Sequence, residues 1–450
     1  MIRSFKGSMT IVLSLSMMVF LLFCLVLTEG IRNYYLKAKA QQAMELAEFS
    51  VLSEYQSELF RQYGVFFLDL DYEQGTEQTA FLETRLEDYF CRNTEDLLEV
   101  YVAADQWERA TDAEGSPFFR QTVTFMKVQS GYQWIEDLSG KTGSLGKSLD
   151  LGKLLEENTA EAAQILEQFT GEDGEPLFDI SLPEVSFPSV EVLTEAVFGT
   201  TENLSGKSIE LSERLEHRKL QTGSGIAEEN GFLDMQLFHG YLLKYMNHYG
   251  SSDPERWKES LEYQIEYIIA GEAEDQKNLE QVMWRIFLLR AGGNYLLFHK
   301  DAGKTAEAEA EAVLLTGAAG NPVLTKIVRE ILLISKAIEA AVEETKRVFA
   351  GEKVPLYEEG IFQNVSMGYE QYLYVFLNTT DSVKKIYRCM DVIELEVRKK
   401  CGYEQFRMDH CVDQFRTEWT WQMESLFMRI PWSEGGVYEN TIQRNVYYEK

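Results

Sequence analysis

The chain has 450 residues, 45% of them apolar and 26% charged, and a formal net charge of −30. That length and composition suffice for two or three domains with proper cores and exclude a wholly disordered chain. So acidic a surface repels polyphosphate, which argues against nucleic acid as a partner, and it also argues against an ectodomain lying flat on anionic lipid.

The first predicted element is a membrane span. No residue from Ser8 to Thr28 is charged, and Ile, Val, Leu and Phe dominate the stretch. About 21 helical residues rise roughly 31 Å, the thickness of a bilayer's hydrocarbon core. The span is assigned to Met9–Thr28, with residues 1–8 as a short stub. A cleaved signal peptide fits less well, because the run is longer than the usual apolar segment and no small-x-small triplet closes it. Arg3 and Lys6 ahead of the span favour a cytoplasmic N-terminus and an extracellular bulk, against the opposing pull of Arg32, Lys37 and Lys39. The expected location is therefore the cell membrane, single-pass, with the bilayer as the first partner. Tyr34 and Tyr35 fall near the outer headgroup level, and Glu29 and Arg32, one turn apart, form a candidate polar pair at the membrane exit.

The helix is expected to continue. Leu36, Ala40, Ala43, Ala47, Val51, Tyr55, Leu59 and Tyr63 recur at three- and four-residue spacing, and Gly64 supplies a stop. Residues 29–63 would reach about 50 Å beyond the bilayer as a straight stalk. The small residues of the stripe suit close approach, either of the protein's own globular part or of a partner helix.

Beyond Gly64 the pattern predicts a strand over 65–70, a helix over 77–91, a strand over 98–104 and a helix over 117–137, so that residues 29–138 form stalk and first α+β lobe. Residues 139–225, rich in Gly, Ser and acids, read as a linker or insertion with one helix near 150–169. A second, helical lobe spans 226–450. Its helices are placed at 229–249, 275–298, 304–316, 321–350, 366–399 and 403–428. The near-strict alternation of Leu261, Tyr263, Ile265, Tyr267 and Ile269 predicts a strand, and the tail from 435 an edge strand. The fold class is α+β, predominantly α-helical, with a small sheet.

Chemistry-bearing motifs are scarce. Four Gly-Lys-Ser/Thr triplets begin at Gly140, Gly146, Gly206 and Gly303, but the glycine needed five positions earlier is Ile135, Lys141, Thr201 or Phe298, so none is a phosphate loop. His217, His239, His248, His299 and His410 form no close ligand pair, and His410-Cys411 are neighbours whose side chains diverge. Thr222–Ile226 reads as a flexible turn rather than a nucleophile elbow. Asp69 and Asp71 resemble the start of a calcium loop, yet Gln74 and Ala80 occupy the positions that need Gly and a closing acid. No catalytic, cofactor or metal site is assigned. Of the five cysteines, Cys24 lies in the apolar run, and Cys401 and Cys411 are the closest pair; a disulfide there would contribute roughly 2–3 kcal/mol, with buried thiols as the alternative.

Lys6–Thr10 with the apolar helix, followed by Thr28–Tyr35, resembles TadE/TadG-like proteins of tight-adherence (Tad) pilus loci. More specifically, Ser50–Asp69, Leu261–Leu297 and Tyr369–Glu394 are similar to a large uncharacterised domain family of such loci in Gram-positive bacteria. The resemblance implies a non-enzymatic, membrane-anchored extracytoplasmic component with a structural or assembly role, whose partners are pilin-like single-span subunits or the Tad assembly platform. Gly7 before the apolar helix matches the cleavage position of type IV prepilins, but their glutamate five residues after the cut is Val12 here. An extracytoplasmic adhesin is the alternative function, and a wall-acting hydrolase a further one.

Overall fold

The computed structural model describes residues 6–71, 79–130, 187–227, 231–251, 259–316, 322–355, 366–426 and 437–448. Helix α1 (Lys6–Leu52) opens the chain and runs 47 residues without a break. It is long and apolar enough to cross a membrane, and the apolar part of it is bare. The helix expected to run on to Tyr63 breaks at Leu52, with Tyr55 in the turn; α2 (Ser57–Tyr63) is a separate helix and ends on Gly64, whose φ of 69° is the left-handed stop expected there. Then come β1 (Leu68–Asp69), α3 (Thr79–Thr94), β2 (Glu99–Arg109), α4 (Asp112–Ser130) and α5 (Val190–Phe198). Helices α6 (Phe232–Tyr245), α7 (Gln264–Ala270), α8 (Asp275–Lys300), α9 (Ala302–Thr316) and α10 (Pro322–Phe349) lead to the short pair β3 (Val354–Pro355) and β4 (Ser366–Met367). Helices α11 (Tyr369–Thr379) and α12 (Ser382–Cys401) precede β5 (Cys411–Glu424) and β6 (Val437–Tyr447). The fold is α+β and mostly helical.

The chain forms two compact units, and the division differs from the expected lobes. One unit joins Met1–Gln121, Leu220–Glu228 and Tyr403–Lys450; the other holds Thr122–Lys219 and Glu229–Gly402. The last fifty residues thus belong with the N-terminal segment and not with a second lobe running to the C-terminus. The helix expected over 150–169 lies outside the described residues.

In the first unit β5 is central. It pairs antiparallel with β2 on one side, from Glu99 opposite Gln422 to Arg109 opposite Val412. On the other side it pairs with β6, from Gln414 opposite Tyr447 to Glu424 opposite Val437, and then with β1, Leu68 opposite Val412. Phe415, Thr417, Trp419, Trp421 and Met423 face inward and are buried. They share one core with Leu36, Ala40, Ala43, Met44, Ala47 and Val51 of α1 and with Leu82, Leu86 and Phe90 of α3. The predicted apolar stripe of α1 is therefore consumed by the protein's own core between Leu36 and Val51. The outer face of the sheet is polar, held by pairs such as Arg416–Asp105 (2.6 Å) and Thr420–Thr441 (3.3 Å). The far edge of β2 is closed by helix α3, where Glu87 accepts from Val102 N–H (3.0 Å) and Glu83 from Ala104 N–H (2.9 Å).

A helix was expected over 403–428 and β5 stands there instead; the side chains from Gln414 to Glu424 alternate wet and dry as one face meets α1 and α3. The reverse error occurs at 261–269, expected as a strand and found as α7. Gln264, Glu266 and the apolar residues between them are all buried, so their alternation marks no wet face. The polar positions bond inward: Gln264 Oε1 accepts from Asn247 N–H (2.9 Å) and Glu266 Oε1 from Tyr249 N–H (2.8 Å). Arg388 satisfies the carbonyls at the end of α7, Ile268 (3.0 Å) and Ile269 (3.2 Å), and its guanidinium fills the space a Cβ on Gly271 would need. The expected helix over 366–399 is two, since the side chain of Asp381 caps α12 at Lys384 N–H (3.0 Å).

Among the described residues of the second unit α8 and α10 are the longest helices, and each buries a stripe at helical spacing, Leu279, Val282, Met283 and Ile286 on one, Val328, Ile331, Ala341 and Val348 on the other.

The covered stripe of α1 gives a direct test. Ala43→Leu places a larger side chain where none fits and should cost roughly 1–3 kcal/mol in denaturant unfolding of the detergent-solubilised chain. Ala38→Leu, on the exposed side of the same helix, should stay within about 0.5 kcal/mol.

Candidate functional site

The sequence singled out Glu29 and Arg32, and the structure brings them together. Arg32 Nη1 lies 3.9 Å from Glu29 Oε1 and donates to the Glu424 carbonyl at 2.7 Å. Glu29 is buried, and both of its oxygens lie 3.2 Å from the Leu426 N–H. The pair is thus a clamp. It fastens the end of β5 to the turn of α1 that directly follows Thr28, where Thr28 itself bonds back to the Cys24 carbonyl (2.8 Å). The β5 contact at 424–426 carried no signal in the sequence, because it joins positions almost four hundred residues apart. Further along α1, Glu48 accepts from Trp419 Nε1 (2.9 Å), Thr417 Oγ1 (3.0 Å) and Arg444 Nε (2.9 Å), a second tie between helix and sheet. Gly7 lies in the first turn of α1.

Around His410 several acids of the first unit are engaged. His410 Nδ1 meets Asp71 at 2.7 Å, Arg407 holds Asp409 at 2.7 Å, and Asp409 also accepts from Gln221 N–H at 2.9 Å. Asp71 N–H donates to Asp69 (3.0 Å), whose carboxyl burial pushes up to about 6. Asp69 and Asp71 are thus engaged with each other and with His410, and the rest of the loop that follows them lies outside the described residues. Cys411 is buried with Sγ on the Arg407 carbonyl (3.6 Å).

No disulfide joins Cys401 and Cys411; all five cysteines are thiols. Cys401 is exposed at the end of α12, which ends the helix in one unit while Cys411 begins β5 in the other.

The Thr222–Ile226 turn is packed rather than flexible. Gly223 and Gly225 N–H donate to the Asp112 carboxylate at 2.7 and 3.2 Å, and Ser224 N–H donates to the Trp107 carbonyl at 2.7 Å. A Cβ on Gly223 would fall 2.0 Å from that carbonyl, so the glycine is there for backbone approach. At Gly303-Lys304-Thr305 the Asp301 carboxylate already accepts from the N–H groups of Gly303 (2.7 Å) and Lys304 (3.1 Å), filling the position a phosphate would take.

Two features were not foreseen. A groove of about 510 Å³ runs between the end of α1 and the end of β6, with Phe49, Leu52, Tyr55, Phe66, Tyr447 and Tyr448 on its walls. Phe66 stacks on Phe60 and Tyr448, and the charges of Glu48 and Arg444 neutralise each other at 2.9 Å. Such a surface suits binding rather than proton transfer. The second is the polar interior of the helical unit. Glu266 accepts from Tyr369 Oη (2.5 Å) and burial pushes its carboxyl up to about 7; Asp391, holding Leu215 N–H (2.8 Å) and Tyr267 Oη (2.9 Å), is likewise pushed to about 7. Lys385 lies against His239 Nε2 (2.8 Å) and the Leu377 carbonyl (2.7 Å), and burial pulls its ammonium down to about 8.

Residues 189–361 and 357–423 match the model of a family of unknown function, DUF5702, and together they cover just over half of the chain. The chain belongs to the DUF5702 family. The matched part holds most of the helical unit and β5, and includes the Leu261–Leu297 and Tyr369–Glu394 blocks; α1 precedes it. No curated protein and no solved structure matches.

Two measurements follow. Glu29→Ala leaves the Leu426 N–H without its acceptor, and loss of protection at that amide in hydrogen exchange, with a cost of roughly 1–3 kcal/mol, is the expected outcome. For Glu266, the native state keeps its proton up to about pH 7, whereas the unfolded chain releases it near 4.5. Stability therefore falls as pH rises through that window, since unfolding sheds the proton. Glu266→Gln should equal the natural protein near pH 4.5 and exceed it increasingly towards pH 7 in urea unfolding; parallel curves would refute the assignment.

Proposed function

We propose that this DUF5702 protein is a single-pass membrane component of a Tad-type pilus system, its bulk outside the cell and its N-terminus in the cytoplasm, with a structural or assembly role and no catalysis of its own. The observation that carries the reading is α1. From Met9 to Thr28 it is bare and uncharged, and from Leu36 to Val51 it is built into a globular core, so whatever holds the apolar part holds the sheet with it. The resemblance of Lys6–Thr10, Thr28–Tyr35 and the longer blocks to Tad-locus proteins supports the pilus context. The engagement of Asp71, His410, Asp409 and Arg407 with one another supports a non-enzymatic role over a wall-acting hydrolase.

Because the alanine stripe is covered, lateral contacts with pilin-like subunits fall to the span itself. There Ser14 and Ser16 bond their hydroxyls to the carbonyls of Ile11 and Leu13 (both 2.9 Å), and association rests on close packing and not on hydrophobicity within lipid. The aromatic groove beside β6 favours the second reading, an adhesin that binds a ligand outside the cell.

At native expression, the membrane-extracted protein is expected to co-purify with the pilins and inner-membrane platform encoded beside it, and to stay in the pellet after carbonate. Recovery without any of those partners, together with ligand binding abolished by Phe49→Ala, would favour the adhesin.

A further inference from the structure

The end of β5 has a depth that the clamp sets. Leu426 N–H lies 3.2 Å from both oxygens of Glu29, and Glu29 is the first charged residue after the stretch that ends at Thr28. Arg32 fixes the preceding residue through the Glu424 carbonyl. Higher on α1, Glu48 meets Thr417 and Trp419, so β5 runs antiparallel to the helix and approaches Thr28 with its C-terminal end. A sheet carried at the tip of a stalk about 50 Å long would lack this arrangement. Here its lower margin is level with the end of the apolar run.

Resting on the reading that α1 spans a bilayer, we propose that this margin of the sheet sits in the outer headgroup layer of the same bilayer, with Ile31, Tyr34, Tyr35 and Leu426 as the side chains that enter it. Three observations favour lipid as the occupant. These four residues are exposed, Tyr34 by 78% and Leu426 by 57%, although the sheet above them has a polar outer face. At 1.5 Å per residue, Ile31 to Tyr35 lie ~5–10 Å beyond Thr28, the depth of the headgroup region, where tyrosine is favoured. Of the three cations in residues 29–39, Arg32 is paired with Glu29 and Lys39 with Glu95 (3.2 Å), and exposed Lys37 is the one that can meet a phosphate in a chain whose bulk, at net charge −30, repels it. A cleft of about 280 Å³ opens at this level, lined by Tyr34, Lys37, Tyr438, Glu439 and Asn440 and by Asn33, whose Oδ1 has no hydrogen-bond partner. It gives a phospholipid headgroup a cation and a polar amide.

The test uses the full chain reconstituted in phosphatidylglycerol–phosphatidylethanolamine vesicles, with a photo-crosslinking amino acid replacing Phe20, Tyr34, Leu426 or Thr441 in turn. Adducts are read by mass spectrometry. Thr441 is an exposed position on β6 opposite Thr420, ~20 Å along β5 from Leu426. Lipid adducts at 20, 34 and 426, with 441 at background, are expected. Adducts at 20 but none above background at 426 would overturn the inference and leave the span standing. Absence of adducts at 20 would remove the span, and the inference with it.

Discussion

The first unit depends on β5 being paired on both sides. Val412 stands opposite Leu68 on one side and Arg109 on the other, and among the described residues β1, β2 and β6 each pair with β5 alone. The strand lies more than three hundred residues from β1 and β2 in sequence, so the core that covers the stripe of α1 cannot form until the end of the chain arrives. Until then Leu36, Ala40, Ala43 and Ala47 have no sheet to pack on. Pairing at that separation costs loop-closure entropy before any contact offsets it, which makes this unit the slow step of folding. The second unit, by contrast, is mainly helical among its described residues, and its neighbouring helices α8, α9 and α10 follow one another directly in the chain.

The same dependence explains what could and could not be read from the sequence. Local signals worked: the uncharged run, the helical spacing of the stripe, Gly64 as a stop, and the helices that became α3, α6, α8, α9 and α10. The α7 segment failed because period two there reflects inward hydrogen bonds of Gln264 and Glu266, a matter of tertiary partners and not of a wet face. At β5 the alternation of Phe415, Trp419 and Trp421 with Glu418 and Gln422 was present, and an assumed run of helices masked it. The Glu29–Arg32 pair was legible, one turn apart on a helix. Its second half, the Leu426 amide, was not, because nothing local links positions so far apart.

Buried polar groups recur at each point where distant segments meet. Asp71 with His410, Asp409 with Gln221, and Asp112 with Gly223 and Gly225 each tie a strand or turn to one remote in sequence. A single acid accepting two or three N–H groups fixes a register more tightly than apolar contact does, and loss of one partner leaves a costly unpaired charge. In a chain this rich in carboxylates, such ties draw on the commonest side chain available.

The two margins of the sheet are not alike. On β2 the outward amides of Val102 and Ala104 are occupied by Glu87 and Glu83, spaced one turn apart on α3. On β6, among the described residues, no strand lies on the side away from β5. Lengthening the sheet by an added strand is therefore possible in one direction only, and any polymer made that way from identical copies would stop at two unless a different chain supplied the next strand.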